Sequence, residues 1–145
     1  MLVSDIMTRN PKTVSPGARL QEVASIMCLY RIPALPVVDE NGKLVGNISE
    51  MDLLRNLLPT MEDIMAGEAV LEIERMTPNY SSSMDLRVSD MMVKNPVSVS
   101  PDQHVLKATA KMTSNRFRRI PVTDSDGKLV GVMSLGDVHL SLIHI

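Results

Sequence analysis

Two short motifs place an aspartate where it could do chemistry, and both read Gly-x-x-Ser-x-x-Asp: Gly46, Ser49, Asp52 and Gly131, Ser134, Asp137. A serine three residues before an acid is a helix-capping pattern, in which the acid binds backbone of the first turn. The same carboxylate could instead accept both hydroxyls of a vicinal diol such as ribose. Serine and the helix N-terminus would then meet a phosphate, and the glycine would let a ligand approach closely. The local sequence leaves both interpretations open.

Arginines are distributed unequally between the two motifs. Arg31 and Arg116 occupy equivalent positions, whereas Arg118 and Arg119 have no basic counterpart. A cation after a helix C-terminus is commonly a solvated charge that suits the helix dipole. Three arginines within four positions also favour phosphate contacts, because guanidinium groups match phosphate oxygens. We therefore expect two unequal sites, and the one lined by Arg118 and Arg119 should favour phosphorylated ligands.

The elements that position these motifs occur twice in the chain. Residues 3–57 align with residues 88–142 without a gap, and 22 of the 55 aligned positions are identical. A repeat of this length indicates a structural unit built twice. Each copy alone is near the lower size limit for independent folding, so we expect the two copies to stabilise each other. Two copies around a two-fold axis would leave two related clefts.

Each copy predicts a β-α-β-β-α unit. Brief strands at Thr13-Val14 and Ser98-Val99 precede Ser-Pro pairs, where helices should begin because serine caps and proline fits the first turn. Apolar residues at helical spacing predict the buried faces of these helices: Leu20, Val23, Ala24, Met27 in one copy and Val105, Ala108, Thr109, Met112 in the other.

A β-hairpin with an Asn-Gly or Asp-Gly turn follows the helix in each copy. The first strand of the hairpin contains Pro36 or Pro121, which lacks an N–H to donate. We therefore expect that strand to be a sheet edge at the proline, or to end there. A second helix should begin after Ser49 or Ser134. The boundaries that follow are residues 1–58 for the first repeat, 59–87 for a connector and 88–145 for the second repeat.

Composition narrows the possible functions. The net charge of −2 gives no field for nucleic acid, and no apolar run reaches the length of a membrane span. Cys28 has no internal disulfide partner, which fits a cytoplasmic protein. We also expect its thiol to be buried and inert. The three histidines are scattered, and no convincing nucleophile or metal-ligand spacing is present. An enzyme is therefore the least favoured class.

The motifs together resemble CBS domains, and the chain looks like a tandem CBS pair (a Bateman module). The likeness is carried by D-I-M-T-R-N-P and S-D-M-M-V-K-N-P, by L-P-V-V-D and I-P-V-T-D, and by G-K-L-V-G-N-I-S-E-M-D and G-K-L-V-G-V-M-S-L-G-D. This resemblance implies an α/β (α+β) module of two pseudo-symmetric repeats, often a homodimer. It also implies clefts between the repeats that bind AMP, ADP, ATP or S-adenosylmethionine and regulate another protein, with no required cofactor and no catalysis.

The resemblance also implies roles for particular residues. Asp52 and Asp137 would bind ribose, as they do in similar family members. Adenine would lie in an apolar slot near Thr13, Val14, Pro36, Ser98, Val99 and Pro121, together with Ile32, Leu35 and Ile120, although each of these is equally compatible with ordinary core. The alternative function is a constitutive dimerisation or protein-interaction module whose clefts are vestigial.

Overall fold

The structure, a computed structural model, describes residues 1–55 and 85–143 and has mixed α+β architecture. Its elements in chain order are α1 (Val3–Ile6), β1 (Thr8–Arg9), α2 (Leu20–Tyr30), β2 (Ala34–Val38), β3 (Leu44–Ser49), α3 (Glu50–Arg55), α4 (Val88–Met91), β4 (Val93–Lys94), α5 (Val105–Ser114), β5 (Arg119–Thr123), β6 (Leu129–Ser134) and α6 (Leu135–Ile143). The second half of this series repeats the first. The expected fold class is confirmed, and most of the predicted connector lies outside the described residues.

The strands form two three-stranded sheets, in the orders β2-β3-β4 and β1-β6-β5. In one sheet β1 pairs antiparallel with β6, so that Arg9 faces Gly131. In the other, β4 pairs antiparallel with β3, so that Lys94 faces Gly46. The first strand of each repeat therefore completes the sheet of the other repeat.

The chain divides into two compact units that follow this exchange rather than the sequence repeats. Unit 1 contains Met1–Thr13, Val38–Val45 and Asn95–Ile145, and unit 2 contains Val14–Val37 and Gly46–Lys94. Buried aliphatic residues and methionine fill unit 1, including Val105, Met112, Ile120 and Met133. The repeat boundaries inferred from the sequence stay a prediction.

The same pair of backbone hydrogen bonds holds the first short helix of each unit in place. In unit 1 the amides of Val3 and Ser4 donate to the carbonyls of Gln103 (2.9 Å) and Pro101 (3.0 Å). In unit 2 the amides of Val88 and Ser89 donate to Ala18 (2.8 Å) and Pro16 (2.9 Å). These donors belong to the first turn of α1 and α4, where the helix itself offers no acceptor. These hydrogen bonds therefore satisfy two amides in each short helix that have no acceptor within the helix.

The predicted starts of the long helices are wrong by several residues. The Ala18 amide bonds the Ser15 carbonyl at 3.1 Å, which makes a separate turn after Pro16. Arg19 is then extended, with ψ 150°, and α2 begins only at Leu20. In the second copy α5 begins at Val105, where the imidazole Nδ1 of His104 accepts from the Leu106 amide at 3.1 Å. Ser15 and Ser100 therefore shape turns and do not cap these helices.

The buried faces of α2 and α5 agree with the predicted spacing at Leu20, Val23, Met27, Val105, Ala108 and Met112. Cys28 differs, because its side chain is exposed. It follows Met27 immediately, and a step of one residue turns a helical side chain roughly 100° away from the buried face. The expectation of a buried thiol is wrong.

The strands predicted at Thr13-Val14 and Ser98-Val99 are reduced to single parallel bridges, Val14 with Val37 and Val99 with Val122. The paired first strands lie earlier, at Thr8–Arg9 and Val93–Lys94. The edge prediction is confirmed, because β2 and β5, which contain Pro36 and Pro121, are the outer strands of their sheets. The carbonyls of both prolines still accept, from the amides of Val14 (3.1 Å) and Val99 (3.0 Å).

Candidate functional site

In unit 1, Ser134 and Asp137 form a reciprocal cap at the start of α6. The Ser134 amide donates to Asp137 Oδ2 at 3.0 Å, and the Asp137 amide donates to Ser134 Oγ at 3.0 Å. Asp137 is half-buried, and within the described residues its Oδ1 has no hydrogen-bond partner. A carboxylate can accept about four hydrogen bonds. The cap therefore fixes Asp137 and still leaves it able to accept from a ligand.

The arginines of the second repeat lie at the same end of β5 as this cap. Arg119 faces Ser134 in the β5–β6 register. The Leu135 amide donates to the Arg118 carbonyl at 2.9 Å, which holds the start of β5 against the start of α6. Both arginine side chains are exposed. Unit 1 thus brings the backbone of Arg118 and Arg119 next to the helix N-terminus that carries Asp137.

In unit 2, Asp52 forms the corresponding cap but is more fully engaged. Its Oδ2 accepts from the Ser49 amide (2.8 Å) and from Ser49 Oγ (3.0 Å). Its Oδ1 lies 3.7 Å from Nη1 of Arg55, one helical turn later. Asp52 is only 5% exposed. Each oxygen of this carboxylate therefore already has a partner.

Apart from Arg55, unit 2 has no counterpart of the two arginines that stand beside the cap of unit 1. The Glu50 amide donates to the Pro33 carbonyl at 2.9 Å, in the way that Leu135 bonds Arg118 in unit 1. Pro33 and Ala34 consequently stand where the second repeat has Arg118 and Arg119. An anion would find fewer cations beside Asp52 than beside Asp137.

Gly131 and Gly46 are explained by contacts within the protein. A Cβ on Gly131 would lie 2.8 Å from the carbonyl oxygen of Thr8 and 2.7 Å from Sδ of Met7. A Cβ on Gly46 would meet the side chain of Met92 and would lie 3.1 Å from the Val93 carbonyl oxygen. Glycine at these two positions leaves room for the exchanged strands. Close approach of a ligand to the glycines stays a prediction.

Arg31 and Arg116 lie in the left-handed backbone region, with φ of 54° and 59°. Each follows a long helix whose end is closed by a bond to the fifth residue back, Ile32 to Met27 (3.0 Å) and Phe117 to Met112 (2.8 Å). Glycine is the usual residue at such helix ends. A non-glycine residue there carries backbone strain of about 1 kcal/mol or more. Both arginine side chains are exposed, and phosphate contact stays a prediction for them.

Not all of the residues predicted to hold adenine lie near the cap of their own unit. Ser98 and Val99 line a pocket of about 360 Å³ in unit 1 with Ser100, Pro101, Asp102, Thr123, Asp124 and Ser125. Thr123 ends β5, whereas Arg119 begins it, which separates this pocket from the Asp137 cap by roughly 13 Å. Val99 and Ile120 are buried in the unit 1 core, and Val14 and Leu35 are buried in unit 2. Core packing therefore accounts for these four side chains.

Three polar contacts were not anticipated from the sequence. Arg55 pairs with Asp52 across one helical turn. Lys111 Nζ donates to the Ser98 carbonyl at 2.9 Å, and Thr123 Oγ1 donates to Ser98 Oγ at 3.0 Å. Only the first carries a local signal, since opposite charges three positions apart on a helix are neighbours.

Residues 1–55 and 85–143 contain neither a metal-binding cluster nor a membrane-spanning helix. No group of three or more histidine, cysteine, aspartate or glutamate side chains is arranged to hold a metal ion there. Within the same ranges, every helix is too short or too polar to cross a bilayer.

Comparison with known proteins identifies the repeats. The CBS domain profile matches residues 3–59 and 88–143. An uncharacterized protein of Methanocaldococcus jannaschii is 29% identical over 99% of this chain and 92% of its own length. The protein YlbB of Bacillus subtilis, also uncharacterized, is 33% identical over 96% of this chain and 80% of its own length.

Solved structures share the fold. The CBS-pair protein CBSX2 of Arabidopsis thaliana, crystallised in complex with AMP, is 28% identical, with a TM-score of 0.77 over 99% of this chain and 96% of that chain. This chain spans 64% of the full chloroplastic CBSX2 sequence. It spans only 22% of a similar protein, the inosine-5'-monophosphate dehydrogenase of M. jannaschii.

Proposed function

The chain belongs to the CBS domain family and contains two repeats in tandem, and from this premise we propose that it is a regulatory module that senses an adenosine-containing ligand. The observation that carries the proposal is the Asp137 cap, where a fixed carboxylate has one oxygen without a partner among the described residues and lies near Arg118 and Arg119 at the start of β5. The AMP complex of CBSX2, 28% identical to this chain, supports the same class of ligand.

The ligand would contact unit 1 through three kinds of group. The ribose hydroxyls would donate to Asp137, because a carboxylate is a strong acceptor for two adjacent hydroxyls. A phosphate would meet the N-terminal amides of α6 and the guanidinium groups of Arg118 and Arg119. Adenine would pack against aliphatic side chains, because the chain has one phenylalanine and no tryptophan. AMP, ADP, ATP and S-adenosylmethionine all fit this description, and a position between the repeats stays part of the proposal.

Regulation would act through a partner rather than through catalysis on the ligand. Ligand binding transmits a signal only when it favours one arrangement of the protein over another. A homodimer is the simplest assembly to read such a change, and α6 offers exposed Leu140, Leu142 and Ile143 for contact. The regulated protein would be a separate or fused chain. A cytoplasmic location fits the single cysteine.

A thermal-shift titration tests the proposed function. We expect one of AMP, ADP, ATP or S-adenosylmethionine to raise the Tm by several degrees. A ligand at about 100 times its Kd stabilises a protein by about 2.7 kcal/mol, and about 1 kcal/mol moves the Tm of a domain near this size by roughly 2–4 °C. GTP serves as the control for non-specific phosphate effects. No shift with any adenosine ligand would favour the constitutive dimerisation module instead.

Replacing Arg119 by alanine tests the phosphate half of the site. We expect the Kd for AMP to rise roughly two- to fivefold, because an exposed charge pair contributes at most about 1 kcal/mol. The Kd for adenosine, which lacks the phosphate, should stay unchanged. Calorimetric titration of both ligands measures the ratio, and Lys107→Ala on exposed α5 controls for lost charge. Equal weakening of AMP and adenosine would contradict a phosphate role.

A further inference from the structure

The two capping carboxylates are chemically unequal, and the difference does not depend on phosphate. Asp52 accepts two hydrogen bonds from Ser49 on Oδ2 and faces the Arg55 guanidinium with Oδ1. Asp137 accepts one hydrogen bond from Ser134 on Oδ2, and its Oδ1 has no partner in the described parts of the chain. Both sites otherwise share the Ser-x-x-Asp geometry.

A single sequence difference accounts for the occupied oxygen. Leu140 follows Asp137 at the position where Arg55 follows Asp52. Leucine cannot donate, so the Asp137 carboxylate has no counterpart of the ion pair. Burial adds to the inequality, because the Asp52 side chain is 7% exposed whereas Asp137 as a residue is half-buried.

We propose that Arg55 is a specificity-determining residue, which lowers the affinity of Asp52 for a ribose diol and leaves Asp137 as the carboxylate that binds first. This inference rests on the proposed function. A diol that binds Asp52 through both oxygens competes with Arg55 for Oδ1, whereas a diol at Asp137 meets an Oδ1 that has no partner in the described parts of the chain. The Arg55 side chain is 72% exposed, so the pair is weak enough to break and acts as a graded competitor.

The test isolates each carboxylate and then exchanges the residue one turn later. Adenosine is the probe, because it carries the diol without a charge. In the Asp137→Ala background, which leaves Asp52, Arg55→Leu should lower the Kd for adenosine by about two- to fivefold. In the Asp52→Ala background, Leu140→Arg should raise the Kd by a similar factor. Lys107→Leu removes a positive charge from exposed α5 and should change neither value.

Ionic strength supplies a second readout that a merely structural role would not move. Salt screens an exposed ion pair but does not act directly on an uncharged ligand. With Arg55 present, the Asp52 site should bind adenosine more tightly in 0.5 M than in 0.05 M salt. With leucine at position 55, that dependence should disappear.

The outcomes separate this inference from the proposed function. The role of Arg55 alone is overturned by one combination of results. The wild type binds adenosine, but the Kd in the Asp137→Ala background changes neither with the residue at position 55 nor with salt. Weaker binding by Arg55→Leu also overturns it, because Arg55 would then be a ligand contact. Absence of adenosine or AMP binding in every variant overturns both proposals.

Discussion

In an Asp52→Ala background, which leaves one capping carboxylate, Asp137→Ala is expected to raise the Kd for adenosine about a hundredfold or more and to remove the thermal shift produced by the ligand. The wild-type carboxylate would accept from both ribose hydroxyls, and each hydrogen bond to a charged group contributes about 1.5–3 kcal/mol. The free protein should lose only about 0.5–2 kcal/mol of unfolding free energy, the usual cost of a lost helix cap. Calorimetry and urea denaturation measure the two effects separately.

Two controls make this result specific. Asp5 caps the short helix α1 by accepting from the Leu2 amide at 2.8 Å, and Asp5→Ala should lower stability without changing the Kd. A 2′,3′-dideoxyadenosine probe should bind wild type and Asp137→Ala equally weakly, because it lacks the hydroxyls. If adding Asp137→Ala to the Asp52→Ala protein left its adenosine affinity unchanged, the assignment of Asp137 to ribose would be refuted.

Gly131→Ala is expected to lower the unfolding free energy by about 1–3 kcal/mol, the range for overpacked sites. The new methyl group would lie 2.8 Å from the Thr8 carbonyl oxygen, which is backbone of the paired strand β1. Gly46→Ala should cost less, because its tightest neighbour is the flexible Met92 side chain and the Val93 carbonyl is 3.1 Å away. Urea denaturation of the two variants and the wild type ranks their unfolding free energies.

A glycine in the same unit provides the matched control. Gly136 lies within α6, and a Cβ there would meet only Ser134 Oγ, at 3.5 Å. Gly136→Ala should therefore leave stability unchanged or raise it by about 0.5–1 kcal/mol, because alanine favours helix. A Gly131→Ala protein as stable as wild type would show that β1 is not held against β6 as closely as described.

Local chemistry explains what the sequence could predict. The Ser-x-x-Asp caps, the hairpins at Gly42 and Gly127, and the edge position of Pro36 and Pro121 depend on neighbouring residues or on a missing N–H. These predictions are confirmed, and both hairpin glycines have positive φ, near 80°. The sequence left open which cleft Arg118 and Arg119 line, and the β5–β6 register places their backbone beside the Asp137 cap.

Distant partners explain what the sequence could not predict. Arg19 stays extended because it bridges Arg87, far along the chain, and this delays the start of α2. Two repeats with the same pattern also give no indication of which sheet each first strand joins. The Asp52–Arg55 contact is local, but an acid and a base one turn apart are common on helices and do not by themselves indicate a site.

The exchange of first strands bears on how the repeat was duplicated. Each repeat made as a separate polypeptide would carry a strand that its own sheet does not use and would lack the strand that its sheet requires. Two identical copies of one repeat could satisfy this need mutually, since Gly46 and Gly131 leave the same space in both. The present chain has the connectivity expected when a gene that encoded such a self-complementing pair was doubled and joined end to end.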